Sequence, residues 1–237
     1  MTFMKKIIFI VLPVLLLVFF VNLFFWLPKA GNEITPAGSG ANVQSTKQNQ
    51  QNNPDTSLAS TTTASNSAIS DFSPSLPRTK ERVTKKPFGI YITPATSPVQ
   101  PERFKGYHTG VDFEIFPDEL KEIVNVQAVC TGKLKLKEYA SGYGGVAVQD
   151  CKLDKQPMTV VYGHLKLASI NKKAGDSLKA GEVIGVLGAA NSQETNGERK
   201  HLHLGFHKGT SINIKGYVSV KSGLTDWLDP CLYVCHD

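Results

Sequence analysis

A chain of 237 residues with 41% hydrophobic side chains can bury one well-packed domain with sequence to spare, which excludes a wholly disordered protein. The formal net charge of +6 fits an anionic partner, whether nucleic acid, an anionic wall polymer or a lipid surface. The basic residues are scattered and no nucleic-acid-binding signature accompanies them, so nucleic acid is not expected as a partner.

Lys5 and Lys6 precede an apolar run, Ile7–Leu27, broken only by Pro13 and Asn22. About 21 residues of helix reach roughly 30 Å, the thickness of a bilayer core. A secretory signal has a shorter apolar region and ends at a small-x-small cleavage site. Here the exit, Leu27-Pro28-Lys29-Ala30, is a poor one. The expectation is a retained transmembrane anchor over residues 1–29, with a cleaved signal and secretion as the alternative. Lysines flank the run two to one in favour of a cytoplasmic N-terminus. The chain would then be single-pass in the cytoplasmic membrane, with everything after Pro28 outside the cytoplasm.

Residues 30–86 are a different material. The stretches QSTKQNQQNN and STTTASNSA bury too little to offset their ordering entropy, so a disordered polar linker is expected. The basic piece Arg78–Lys86 reads as its solvated end.

From residue 87 to 237 short β-prone runs alternate with glycine-rich turns. They are Val111–Phe116, Val124–Val129, Lys133–Lys137, Gly145–Gln149, Thr159–Tyr162, Glu182–Leu187, His201–His207 and Tyr217–Val220. No amphipathic helix of useful length interrupts them. The spacing predicts an all-β, mainly antiparallel domain. Val126–Lys137 and Val146–Asp150, around SGYGG, read as a β-hairpin.

Cys130, Cys151, Cys231 and Cys235 all lie in this domain. An even number in an oxidising compartment suggests disulfides, with three pairings open. A hairpin turning near Ser141–Gly142 sets residue 130 opposite 151 or 152, close enough to bridge, which leaves Cys231 and Cys235 for each other. Thiolate ligation of zinc lacks any CxxC pair, and free buried thiols are the plainest alternative.

The stretch KHLHLGFH, Lys200–His207, alternates strictly as a strand. His201 and His203 therefore share one face, and Leu202, Leu204 and Phe206 the other. Elsewhere, His108 opens HTGVD with Asp112 four residues on, and Gly110 is expected to turn the backbone so that the two converge. His164 follows Gly163 at the end of the run TVVYGH. Singly, each histidine is ordinary. Together they offer nitrogen and oxygen donors suited to Zn²⁺, with imidazoles left over for proton transfer near neutral pH. No HExxH is present to supply a helix-borne glutamate base. His207 lies about 13 Å beyond His203 along a strand, too far for the same ion, and His236 has no supporting context.

HTGVD (108–112), YGH (162–164) and HLH (201–203) together resemble the lysostaphin-like (LytM-type) zinc endopeptidases that cut peptidoglycan. The likeness extends through VNVQAVCTGKL (125–134), GYGGVAVQ (142–149), NKKAGDSLKAGEVIGVLG (171–188) and the closing Asp229-Pro230. The resemblance implies a lysostaphin-like fold of the duplicated hybrid motif type and one Zn²⁺ per domain, held by His108, Asp112 and His203. It implies His164 and His201 as the catalytic pair, and peptidoglycan stems or cross-bridges as substrate. Two charged stretches depart from the family pattern, Pro117–Glu122 and Ala189–Lys200, and both are expected to border the groove. A non-catalytic wall-binding or amidase-activating module of the same fold is the rival reading. A lipoyl-like carrier, suggested by AGDSLKAGEVIGVLG, lacks the exposed lysine it needs.

Overall fold

The computed structural model describes residues 72–236, which lie in a unit running from Thr63 to Asp237. The expected anchor, and the expected linker up to Asp71, fall outside the described residues. Among the described residues no helix is long and apolar enough to cross a membrane.

Alternation of side chains builds short strands, and every pairing between them is antiparallel. In chain order they are β1 (Tyr91–Ile92), β2 (Gly106–His108), β3 (Gly110–Glu114), β4 (Asn125–Gln127), β5 (Gly132–Ala140) and β6 (Gly144–Leu153). Next come β7 (Gln156–Gly163), β8 (Ser177–Leu178), β9 (Val183–Val186), β10 (His201–Lys208), β11 (Tyr217–Val218) and β12 (Trp227–Leu228). All eight β-prone runs contain a strand. The helices α1 (Thr79–Arg82) and α2 (Cys231–Val234) are one turn each.

The main sheet runs β12-β10-β7-β6-β5-β8, and β3 also pairs with β10. Its central strands are covered on both faces. Leu202, Leu204 and Phe206 join Val111, Phe113, Val160 and Tyr162 in one core. Val146, Val148, Val161, Tyr143 and Trp227 form a second. Val160 and Val161 are neighbours that belong to different cores, as the two-residue period of a strand demands.

The hairpin is β5–β6, with Ala140 paired to Gly144 across the turn. Its first strand does not begin at Val126 as the sequence suggested. β4 leaves it to pair with β9 in a separate two-stranded sheet. The break follows Cys130, and a Cβ at Gly132 would meet the Asp150 carbonyl oxygen at 1.8 Å. The break falls at Thr131-Gly132, between the β-prone runs VQAVC and KLKLK, and their separate partners, β9 for β4 and β6 for β5, are what divide them. Disulfides join Cys130 to Cys151 and Cys231 to Cys235.

The expected linker through Lys86 is corrected from Phe72 onward. Phe72 packs on Phe206 and Tyr233, and Leu76 is 1% exposed. Ser73 donates its amide to the Val129 carbonyl at 2.7 Å, and Ser75 accepts from Gln127 at 2.9 Å. The Thr79 hydroxyl donates to the carbonyl of Val234 at 2.6 Å. The basic piece is not a solvated end either. Arg82 is buried with Glu119 as a two-pronged partner at 2.7 and 2.8 Å, and Lys86 is buried against Glu102 at 2.6 Å. Partners more than fifteen residues away in sequence neutralise these charges, so local composition could not reveal the burial.

Leu76→Ala should therefore cost about 3 kcal/mol, in the range for a buried leucine. Urea unfolding of the full-length protein measures this, and an unchanged midpoint would mean that the segment does not pack.

Candidate metal centre

The register of β10 assembles the site. On one side His203 is paired with Asp112 of β3, and on the other with Gly163 of β7. The same register sets His201 opposite Glu114. His108 arrives from β2, which is separated from β3 only by Thr109; the Thr109 amide is tied to the Gly216 carbonyl at 3.0 Å. Gly110 matters for a reason other than the expected turn. A Cβ there would stand 2.3 Å from the Leu204 carbonyl oxygen and 2.8 Å from Nε2 of His203. Only glycine lets β3 lie close enough to β10 for the histidine ring to fit between them.

Three ligand-type atoms converge. Nε2 of His108 lies 3.0 Å from Nδ1 of His203. Oδ1 of Asp112 lies 3.3 Å from the first and 3.2 Å from the second. All three residues are buried. Nδ1 of His108 faces the Pro87 carbonyl at 3.2 Å; an N–H there leaves the lone pair of Nε2 aimed at the cluster. Zinc bonded at ~2.0–2.1 Å in tetrahedral geometry sets its ligand atoms roughly 3.3 Å apart. The spacing and the two-nitrogen, one-oxygen donor set fit that ion.

Beside this cluster lie His164 and His201, with ring centroids 4.2 Å apart. His201 bonds the Arg199 carbonyl through Nδ1 at 2.9 Å, and its Nε2 faces Oδ2 of Asp112 at 3.3 Å. His164 comes one residue after the end of β7 and adopts a left-handed backbone, φ 64°. That conformation is sparsely populated by residues other than glycine and turns the imidazole back over the sheet. Nδ1 of His164 is buried without a hydrogen-bond partner. The five residues expected from the sequence are thus in one place. His207 is elsewhere, against Trp227 and Asn213, and His236 is exposed.

A cleft of about 370 Å³ opens over the site, and Phe104, Tyr143, Tyr217, Lys105 and Lys215 contribute to its walls. Of the two charged stretches, Ala189–Lys200 borders the cleft through Glu198 and Arg199. Pro117–Glu122 does not. Its Glu119 and Glu122 carbonyls instead accept from the buried Lys200 ammonium at 2.9 and 2.6 Å. Sequence reasoning missed Arg199 as an individual residue. Its guanidinium donates to Oδ2 of Asp112 at 2.8 Å and grips both oxygens of Glu114. Only the β3–β10 register could have revealed it.

Burial dominates the electrostatics. It pushes His203 down to about 4, against the pull of Asp112. Burial, then His201, holds His164 well below its ordinary range. Burial alone would raise the Asp112 carboxyl, but His201 and His108 beside it keep it well below the usual range.

Residues 106–214 match Peptidase family M23. Among solved structures, the catalytic domain of the antimicrobial peptidase lysostaphin from Staphylococcus simulans is 22% identical. That match covers 65% of this chain and 92% of that one, at a TM-score of 0.43. LytU is 25% identical over 64% of this chain and 83% of its own, also at 0.43. A chain of a SpoIIIAH and SpoIIQ complex is 19% identical over 68% and 97%, at 0.42. No curated protein matches.

The two depressed imidazoles carry a pH dependence. Both are neutral in the folded, metal-free protein near pH 6, whereas the unfolded chain protonates them from about 6.5 downward. Protons favour unfolding in that window, so stability is lost as pH falls from about 6.5 toward 4. Each unit of pKa corresponds to roughly 1.4 kcal/mol. The Tm of chelator-treated protein should decline across this range, and His203→Phe should flatten the slope. A flat profile in the wild type would contradict buried, neutral imidazoles.

Proposed function

Because residues 106–214 match Peptidase family M23, we propose that this chain is a zinc metalloendopeptidase that hydrolyses peptide bonds in peptidoglycan stems or cross-bridges. The N-terminal apolar run would hold it at the cytoplasmic membrane with the domain outside. The observation that carries the reading is the buried convergence of His108, Asp112 and His203, beside a second pair of imidazoles and under an open cleft. A binding module has no need of five such groups in one place.

His108, Asp112 and His203 would hold the ion. Zinc bound there would supply a Lewis acid that polarises a peptide carbonyl and acidifies a water molecule. His164, neutral because it is buried, is suited to accept a proton from the attacking water. His201 has its orientation set by the Arg199 carbonyl. With its Nδ1 proton held by that carbonyl, it is suited to orient the attack as a neutral ring and, as an imidazolium, to donate from Nε2 to the developing oxyanion or the leaving amine. The aromatic walls from Phe104, Tyr143 and Tyr217 would exclude bulk water from the reacting bond.

Full-length protein incubated with purified peptidoglycan should release new amine ends. Chelation should abolish the release and added zinc should restore it. His203→Ala should lose both zinc and activity. His164→Ala should keep one zinc per chain and lose activity by about 10²-fold or more, the scale of a general base. Wall binding without new amine ends, in the presence of zinc, would leave a non-catalytic wall-binding module instead.

A further inference from the structure

The Asp112 carboxylate is divided between two sets of partners. Oδ1 faces the ring nitrogens of His108 and His203 at 3.3 and 3.2 Å. Oδ2 is turned the other way, to Nη2 of Arg199 at 2.8 Å and Nε2 of His201 at 3.3 Å. Arg199 does not float over this carboxylate. Its Nε lies 2.9 and 3.0 Å from the two oxygens of Glu114, and Nη2 also reaches Oε1 of that residue. Glu114 is two residues beyond Asp112 on β3, so both carboxylates lie on one face and a single planar fork spans them. Lys85 approaches the far side of Glu114 at 3.6 Å. The backbone carbonyl of Arg199 meanwhile receives Nδ1 of His201 at 2.9 Å. One residue therefore holds a carboxylate of the three-residue cluster through its side chain and an imidazole of the adjacent pair through its main chain.

We infer that Arg199 is a positioning residue that restricts Asp112 to offering the metal a single oxygen, Oδ1. The inference rests on the metal-site reading above. A carboxylate with both oxygens free can grip a cation with both and fill a coordination position. With Oδ2 held by a guanidinium, that position stays open for water and substrate, as a catalytic site requires. The guanidinium also offsets the carboxylate charge, so the bound ion keeps more of its own. A lysine cannot reproduce this arrangement, because an ammonium has no planar fork to bridge Asp112 and Glu114.

The test uses full-length protein and the metals themselves. Competition with a chromophoric chelator should show Arg199→Met binding zinc about tenfold more tightly, because a positive charge beside the ion is gone and Asp112 can bind with both oxygens. Arg199→Lys, which keeps the charge but not the fork, should show a smaller change. With Co²⁺ in place of zinc, the wild type should show the strong visible absorption of a four-coordinate ion. Arg199→Met should show the weaker band of a five-coordinate one as Asp112 turns to present both oxygens. Glu114→Gln leaves Asp112 and Arg199 in place but loosens the fork. It should move affinity and spectrum in the same direction by less, and it serves as the test if Arg199→Met does not fold. Unchanged affinity and unchanged spectra in the folded variants overturn the role of Arg199 while leaving the metal site standing. A wild type that binds neither ion overturns the metal site, and this inference with it.

Discussion

The site depends on the register of one strand, β10, held between β3 and β7. Side chains alternate along it, so a slip of one residue would send His201 and His203 into the core and bring Leu202 and Leu204 out. That slip is prevented by the burial of Leu202, Leu204 and Phe206, all fully inaccessible. Each such side chain contributes about 1.5–3 kcal/mol when removed from water. The hydrophobic effect on one face thus positions the chemistry on the other. Because β10 is bonded on both sides, the same register brings Asp112 and His164 to the histidines without any flexible loop.

Glycines set how tightly this layer is packed. The ring of Tyr143 lies where a Cβ on Gly163 would be, at 2.4 Å, and its edge contacts His203 with centroids 5.2 Å apart. Gly110 makes the equivalent space on the side of β3. The left-handed His164 then closes the layer from the end of β7. Such backbone costs of order 1–3 kcal/mol, and the surrounding sheet pairings hold it in place. The rings of Tyr143, His164 and His203 thus pack together and line the cleft.

Buried ion pairs tie the rest of the chain to β3 and its surroundings. Arg82 reaches the Glu114 carbonyl as well as Glu119, the Lys86 carbonyl receives the amide of Asp112, and Arg199 joins Asp112 to Glu114. Pairs of this kind add little net stability, because desolvation consumes most of the attraction, but breaking one leaves a costly buried charge. Their effect here is geometric. They make the residues before β1, and the segment leading into β10, part of the scaffold that orients Asp112.

The eight strand-bearing runs and the antiparallel class were legible because they rest on local pattern, and the same pattern marked as candidates the five residues that the fold brings together. Alternation marks KHLHLGFH as a strand with two imidazoles on one face, and HTGVD carries its histidine and aspartate four residues apart. Counting across the hairpin offered Cys130–Cys151 as one of three open pairings, and the fold forms that one. Where pattern failed, the partner was distant. Arg78–Lys86 has the composition of a solvated linker, and its burial depends on Glu102 and Glu119, which no local window contains. β4 and β5 follow each other closely as β-prone segments, and only their different partners, β9 and β6, separate them. By itself the sequence determined the short antiparallel strands and the shared face of His201 and His203, and it marked the candidate groups around them. Only the tertiary structure decided that Gly110 serves close packing rather than a turn, that Asp112 divides its oxygens, and that Arg199 holds one of them. Those are contacts between strands, and a one-dimensional pattern records the period of a strand but not its neighbours.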